Sequence, residues 1–158
     1  MFSNVSNDNL ILLGKYTLLW NAFERNFFNF FGIKCYASYI STYSENVEIT
    51  YKIKSLSEEL KAKLLSLAGN PQAALIALNF GNGKTEINLS NRCEQWLSDD
   101  SFNLIAIFSV LYRIRCNTFH GNKEYLSFAE QYDLFVIIIN LLEAFLESVN
   151  ANLDMDRI

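Results

Sequence analysis

The residues best suited to chemistry lie close together in one stretch of the chain, residues 112–123. This stretch contains the only histidine, His120, together with Arg113, Arg115 and Lys123. An imidazole can accept or donate a proton near neutral pH. A guanidinium group can bind a phosphate through two parallel hydrogen bonds. This combination of residue types indicates phosphodiester chemistry.

The roles of these residues follow from what RNA cleavage without a metal requires. The reaction needs a base for the 2′-hydroxyl, a cation for the phosphate charge and an acid for the leaving oxygen. His120 can serve as base or acid, and Arg115 can bind the phosphate. Asn117 can orient the imidazole or the phosphate, while Arg113 and Lys123 add local positive charge. A structural interpretation stays open, in which an arginine complements a helix C-terminus and His-Gly closes a turn.

A single histidine cannot easily act as both acid and base, and the chain has no second one. A two-fold dimer would supply a second Arg115 and a second His120, and would form one composite site if the motif lay near the axis. Wide apolar faces on the first and last predicted helices would give a reason to dimerise. We therefore predict a homodimer.

Length and composition favour one all-α domain over residues 1–158. A chain of this length can bury roughly two-thirds of its unfolded surface, and 51% of its residues are hydrophobic. One proline and six glycines leave long segments free to be helical. The net charge of -4 argues against a broad basic surface for nucleic acid, so any RNA contact must be local.

The remaining features predict a cytoplasmic protein without a bound metal or cofactor. Three cysteines, odd in number and far apart, suggest neither a disulfide framework nor a zinc site. The first residues lack the basic start of a signal peptide, and the apolar piece at residues 10–13 is too short for one. Polar residues at 140, 143 and 147 interrupt the last apolar segment, which is therefore not a membrane span.

Hydrophobic periodicity predicts a bundle of about four to five helices. The predicted helices cover residues 10–32, 57–68, 72–78, 102–115 and 127–149. The first is more aromatic than one buried stripe needs, so part of it could face a partner subunit or a groove. Its charged residues Glu24 and Arg25 are predicted to lie on the surface, and an active-site role for either is the less favoured alternative. The tail from about residue 150 is predicted to fray.

Three shorter patterns complete the chain. Residues 45–53 alternate apolar and polar side chains and would pair with residues 85–89, which predicts a small two-stranded β insertion. Residues 81–85 end like a phosphate-binding P-loop, but the required first glycine falls at Leu78, so we interpret them as a turn before an extended segment. Residues 98–100 are predicted to cap the helix that follows, in preference to binding a metal.

The stretch at residues 112–123 resembles the signature of HEPN domains, an arginine followed after four to six residues by a histidine. Arg115 and His120 enclose four residues. The order Arg-x-Asn-x-Phe-His-Gly-x-Lys is similar to one branch of that superfamily. The aromatic residues 19–24 also resemble the first helix of many members.

The resemblance implies a helical bundle that dimerises and, in active members, a metal-independent endoribonuclease. Such proteins often act in toxin–antitoxin, abortive-infection or other anti-phage systems, so it also implies RNA as substrate and an antitoxin or defence protein as partner. Arg115 and His120 would be catalytic, with Asn117 auxiliary.

The chain departs from the family pattern at two positions. Cys116 stands where many members have a polar residue, and Asn122 stands where one toxin branch has a tyrosine that its antitoxin modifies. Two alternatives stay open on the sequence. One is a HEPN-like module without catalysis that binds a nucleotide, an RNA or a protein, and the other is a purely structural helical dimer.

Overall fold

The computed structural model describes residues 7–27, 46–99, 102–119 and 132–149. These residues form six helices and no strand. The helices are α1 (Asn7–Phe27), α2 (Val47–Ala68), α3 (Pro71–Leu78), α4 (Lys84–Ser98), α5 (Leu104–Phe119) and α6 (Tyr132–Ser148). The prediction of an all-α bundle is confirmed, with more helices than the about four to five expected from periodicity.

The centre of the core is aromatic and lies where α1, α5 and α6 meet. Phe23 of α1 stacks on Phe108 of α5 with ring centroids 5.0 Å apart, and Phe145 of α6 contacts Phe108 at 4.5 Å. All three side chains are fully buried. Tyr16 makes an edge contact with Phe135 at 5.0 Å between α1 and α6. This packing holds α1 beside α5, the helix that carries the two arginines.

The apolar face of α6 packs against α1 and α2 of the same chain. Its buried residues are Leu134, Phe135, Ile138, Ile139, Leu141, Leu142, Phe145 and Leu146. Trp20 and Phe23 of α1 are also buried in this core. The buried residues of α6, and Trp20 and Phe23 of α1, are therefore covered within one chain, whereas Ile11 of α1 is 70% exposed.

The prediction of a strand over residues 45–53 is wrong, because α2 begins at Val47. Ile49 and Ile53 are buried, whereas Val47 and Tyr51 are 82% and 85% exposed. Residues four apart lie on the same side of a helix. The alternating apolar residues therefore divide between two helical faces, and only one of these faces is buried.

The sequence around Val47, where α2 begins, contains residues that favour a helix start. The side-chain oxygen of Asn46 accepts a hydrogen bond from the backbone N–H of Ile49 at 3.1 Å, which is N-terminal capping. Glu48 and Lys52, four residues apart, form an ion pair at 3.3 Å on the helix surface. The predicted start at Ser57 therefore lies inside a longer helix.

The proposed partner strand, residues 85–89, is helical as well and belongs to α4. Leu89, Cys93 and Leu97 are buried at intervals of four residues. Five residues alone do not show this period, since only the turns that follow complete it. No β insertion exists among the described residues.

Residues 81–85 span the end of the loop between α3 and α4 and the start of α4, so the strand that a P-loop requires before it is absent. The expectation that an extended segment follows is wrong, because α4 begins at Lys84. The Glu86 carboxylate lies beside Gly83, at the N-terminus of α4. It places negative charge where a P-loop would hold phosphate, which supports the interpretation as a turn.

The predicted stop at residues 69–71 is confirmed. Gly69 ends α2 with φ at 99°, a backbone conformation that glycine adopts without strain. The side chain of Asn70 then accepts a hydrogen bond from the backbone N–H of Ala73 at 2.9 Å, and Pro71 opens α3. These adjacent signals separate two helices within three residues.

The predicted cap of the next long helix is wrong in its position. Asn103 caps α5, since its side-chain oxygen accepts a hydrogen bond from the backbone N–H of Ala106 at 3.0 Å. Asp99 instead follows the last turn of α4 as its C-cap. Its carbonyl oxygen accepts a 2.7 Å hydrogen bond from the buried Lys61 of α2. This cation complements the negative end of α4 and ties it to α2.

Two further predictions concern residues that the structure does not describe. The continuation of the first helix to near Gly32 and the fraying from residue 150 both lie outside the described residues. Among the helices that are described, none has the length and apolar character that crossing a bilayer requires.

Candidate active site

Helix α5 positions the arginines of the predicted site. Residues 106–111 are all buried, so the first half of the helix runs through the core. Beyond them, Tyr112, Arg113 and Arg115 are partly exposed. The order of residues in α5 therefore brings two guanidinium groups out of the core.

Arg115 lies between α5 and α1. Its Nη2 is 3.8 Å from Oε1 of Glu24, and the two side chains are 29% and 33% exposed. The same oxygen of Glu24 accepts a 2.7 Å hydrogen bond from the indole Nε1 of Trp20, whose side chain is buried. A core residue therefore holds the carboxylate, and the carboxylate attracts the guanidinium group.

Arg113 points to a different part of the molecule. Its Nε donates a hydrogen bond to the carbonyl oxygen of Leu78 at 3.0 Å. Leu78 is the last residue of α3, so this cation lies at the negative end of that helix. Arg113 and Arg115 stand about 200° apart around α5. The structure does not bring the two groups together, and the role of Arg113 as a supporting charge stays a prediction.

Helix α5 is longer than predicted. It continues to Phe119, whereas the sequence predicted an end near Arg115. Ile114 and Cys116 remain buried on either side of Arg115, and their burial extends the helical packing past the arginine. Arg115 therefore projects from within the helix and not from its terminus.

The other predicted site residues follow in sequence. Asn117 belongs to α5, two residues after Arg115. His120 and Lys123, with the turn predicted around them, lie outside the described residues. Phe119, the residue before His120, stands about 6 Å along the helix axis from Arg115. Of the predicted site, the structure therefore describes the residues of α5, which include Arg115, and not His120 or Lys123.

Tyr16 and Tyr112 lie close enough to Arg115 for its positive charge to lower their pKa values. Burial raises the pKa of Tyr16, against the opposing effect of the nearby Arg115 cation. Burial also raises the pKa of Tyr112, and the neighbouring Cys116 adds to this effect. Both phenols therefore stay protonated at neutral pH. Neither phenol is therefore a suitable base at neutral pH.

The cysteines of the described residues are buried thiols. Cys93 and Cys116 are both free, and burial raises the pKa of Cys93 to about 12. Its thiol is therefore protonated at neutral pH and is a poor nucleophile. Within the part of the chain that the structure describes, no group of three or more His, Cys, Asp or Glu residues could hold a metal ion.

Glu24 and Trp20 are the residues near Arg115 that sequence reasoning did not assign to the site. Glu24 is 33% exposed, and its carboxylate faces Arg115 from α1. Their spacing of four residues is a signal that the two side chains share a helical face. Nothing local to α1 connects that face to Arg115, because the contact depends on how α1 packs against α5.

No protein-family model, curated protein or solved structure matches the chain. The resemblance to HEPN domains therefore depends on residues 112–123 and 19–24, and it stays a hypothesis.

Proposed function

We propose that the protein is a metal-independent endoribonuclease that cleaves RNA at a composite site formed by Arg115 and His120 of two subunits. The observation that carries the proposal is the placement of Arg115. Its backbone belongs to a helix that runs through the core, and its side chain is held beside α1 yet remains partly exposed. A phosphate-binding arginine needs this combination of a fixed position and access from solvent.

The proposed reaction uses the 2′-hydroxyl of the RNA as the nucleophile. One His120 accepts the proton of this hydroxyl as its oxygen attacks the adjacent phosphorus. The bond between phosphorus and the 5′-oxygen breaks, and a second His120 donates a proton to the leaving oxygen. Arg115 stabilises the negative charge that builds on the phosphate oxygens. The products are a 2′,3′-cyclic phosphate and a 5′-hydroxyl.

The proposed reaction requires a dimer because each chain has a single histidine. Acid and base must act on opposite sides of the phosphorus, and each chain supplies one imidazole. A two-fold axis near the motif would place both imidazoles and both guanidinium groups around one phosphate. The proposed dimer rests on this stoichiometry, since the buried residues of α6 and Trp20 and Phe23 of α1 are covered within the chain.

We infer from the resemblance alone that the activity belongs to a cytoplasmic toxin or anti-phage effector with an antitoxin or defence protein as partner. The alternative is a HEPN-like module that binds RNA, a nucleotide or a protein without catalysis.

Purified wild-type protein incubated with total RNA and a metal chelator tests the proposal. We expect cleavage that persists in the chelator, because the proposed acid, base and cation are all side chains. End-labelling of the products should show 2′,3′-cyclic phosphate and 5′-hydroxyl termini. RNA that is bound but not cut would favour the binding module, and RNA that is neither bound nor cut would favour a structural dimer.

Mixed dimers test the composite site. If acid and base come from different subunits, a dimer with one His120→Ala chain is inactive. After equal amounts of wild-type and variant chains exchange, about half of the wild-type chains are in mixed dimers. We expect the cleavage rate per wild-type chain to fall to about half, measured before and after exchange. A rate that does not change on exchange, or a monomeric mass in solution, would contradict the composite site.

A further inference from the structure

We propose that Glu24 is a positioning residue for Arg115, and that its carboxylate orients the guanidinium group for the phosphate of the transition state. This inference rests on the proposed function, because it assigns a role at the same site. The sequence favoured a surface position for Glu24 over an active-site role. The structure brings it from α1 to the arginine of α5.

Two successive contacts connect the buried core to Arg115, one from Trp20 to Glu24 and one from Glu24 to Arg115. Trp20 is 1% exposed, and its ring packs on Phe23 at a centroid distance of 5.1 Å. Its indole N–H donates the 2.7 Å hydrogen bond that fixes Oε1 of Glu24. That oxygen lies 3.8 Å from Nη2 of Arg115. The rigid aromatic core therefore sets the position of the carboxylate, and the carboxylate limits the orientations open to the guanidinium.

An orienting partner matters for an arginine because its side chain is long and flexible. A guanidinium group binds phosphate in a fixed planar geometry, and it loses rotational freedom when it does so. A carboxylate that holds the group in advance reduces this loss at the moment of reaction. A third of each side chain remains exposed, so a phosphate can approach the guanidinium from solvent.

The same carboxylate should not help RNA to bind. Its negative charge lies close to the proposed position of the phosphate and repels it in the ground state. Removal of the charge should therefore leave RNA binding unchanged or make it tighter, while the reaction becomes slower. This opposite effect on KM and kcat separates positioning from a simple contribution to affinity.

The contact is not needed to hold the helices together. α1 is already fixed to α5 by the stacked rings of Phe23 and Phe108. Ion pairs that are about a third exposed contribute little to stability, since solvent screens them. Lys15 and Glu143 form a comparable pair between α1 and α6 at 3.0 Å. This second pair lies outside the proposed site and provides a matched control.

The experiment measures kcat, KM and Tm with one RNA substrate for wild type, Glu24→Gln, Arg115→Ala, the double variant and Glu143→Gln. Glutamine keeps the acceptor oxygen for Trp20 but removes the charge. We expect Glu24→Gln to lower kcat about tenfold, with KM unchanged or lower and Tm near that of wild type. Glu143→Gln should leave kcat and KM unchanged. In the Arg115→Ala background, Glu24→Gln should cause no further loss of kcat, because residues that act through one another are not additive.

Three outcomes would overturn the positioning role: kcat of Glu24→Gln equal to or above that of wild type, a loss that adds fully to that of Arg115→Ala, or a loss matched by Glu143→Gln. Failure of the proposed function gives a different result. In that case wild type does not cleave RNA or Arg115→Ala cleaves as fast as wild type, and the role of Glu24 is overturned with it. A fast wild type, a slow Arg115→Ala and an unaffected Glu24→Gln would reject the positioning role alone.

Discussion

Arg115→Ala is expected to lower the rate of RNA cleavage about a thousandfold, the scale on which a group that stabilises transition-state charge contributes to catalysis. The guanidinium is the cation of α5 that the structure places beside Glu24 at the α1–α5 contact. His120→Ala should cause a loss of about a hundredfold to ten-thousandfold, typical of a missing general acid or base. Both rates are measured with one labelled RNA in the presence of a chelator.

Arg115→Lys separates charge from geometry. Lysine keeps the positive charge but not the planar fork that binds phosphate through two parallel hydrogen bonds. Its rate should fall between those of wild type and Arg115→Ala. Arg92→Ala removes an arginine of α4 from outside the proposed site, and should leave the rate unchanged. If Arg115→Ala cleaves as fast as Arg92→Ala, the proposed mechanism is wrong.

Of the variants described here, Phe108→Ala is expected to lower the free energy of unfolding most. Phe108 is fully buried, stacks on Phe23 at 5.0 Å with an interplanar angle of 11°, and contacts Phe145 at 4.5 Å. Removal of a buried phenyl ring leaves a cavity and typically costs about 3–5 kcal/mol of unfolding free energy. The loss should be visible in urea or guanidinium unfolding followed by circular dichroism.

A pair of variants controls this experiment. Tyr51→Ala removes an aromatic ring that is 85% exposed, so its unfolding free energy should stay within about 0.5 kcal/mol of wild type. Phe108→Leu keeps most of the apolar volume and should cost less than Phe108→Ala. Equal stability of Phe108→Ala and Tyr51→Ala would contradict the packing of α1, α5 and α6 around one aromatic cluster.

Where local signals act alone, the sequence was a good guide to the fold. Glycine, asparagine and proline at residues 69–71 determine the end of α2 and the start of α3, because a left-handed residue, a capping side chain and a fixed φ each act on their own backbone. The apolar residues of α6 recur at helical spacing and predicted a helix for the same kind of reason. These elements need no knowledge of their neighbours.

The prediction of strands was wrong because the same residues fit both the two-residue period of a strand and the 3.6-residue period of a helix. Val47, Ile49, Tyr51 and Ile53 alternate in the sequence, and this pattern fits a strand as well as two faces of a helix. The helix forms because Asn46 caps it and because Ile49 and Ile53 on one face are buried. Which of the two apolar faces is buried depends on the remainder of the chain.

The sequence by itself determined the all-α class, several helix ends, and the spacing of Arg115 and His120 that suggests phosphodiester chemistry. Only the tertiary structure decided that α5 continues past Arg115, that Arg113 contacts α3, and that Arg115 faces Glu24. The physical reason is the range of the interactions. Caps and periodicity act within a few residues, whereas the contact between Glu24 and Arg115 exists only after the aromatic core has packed α1 against α5.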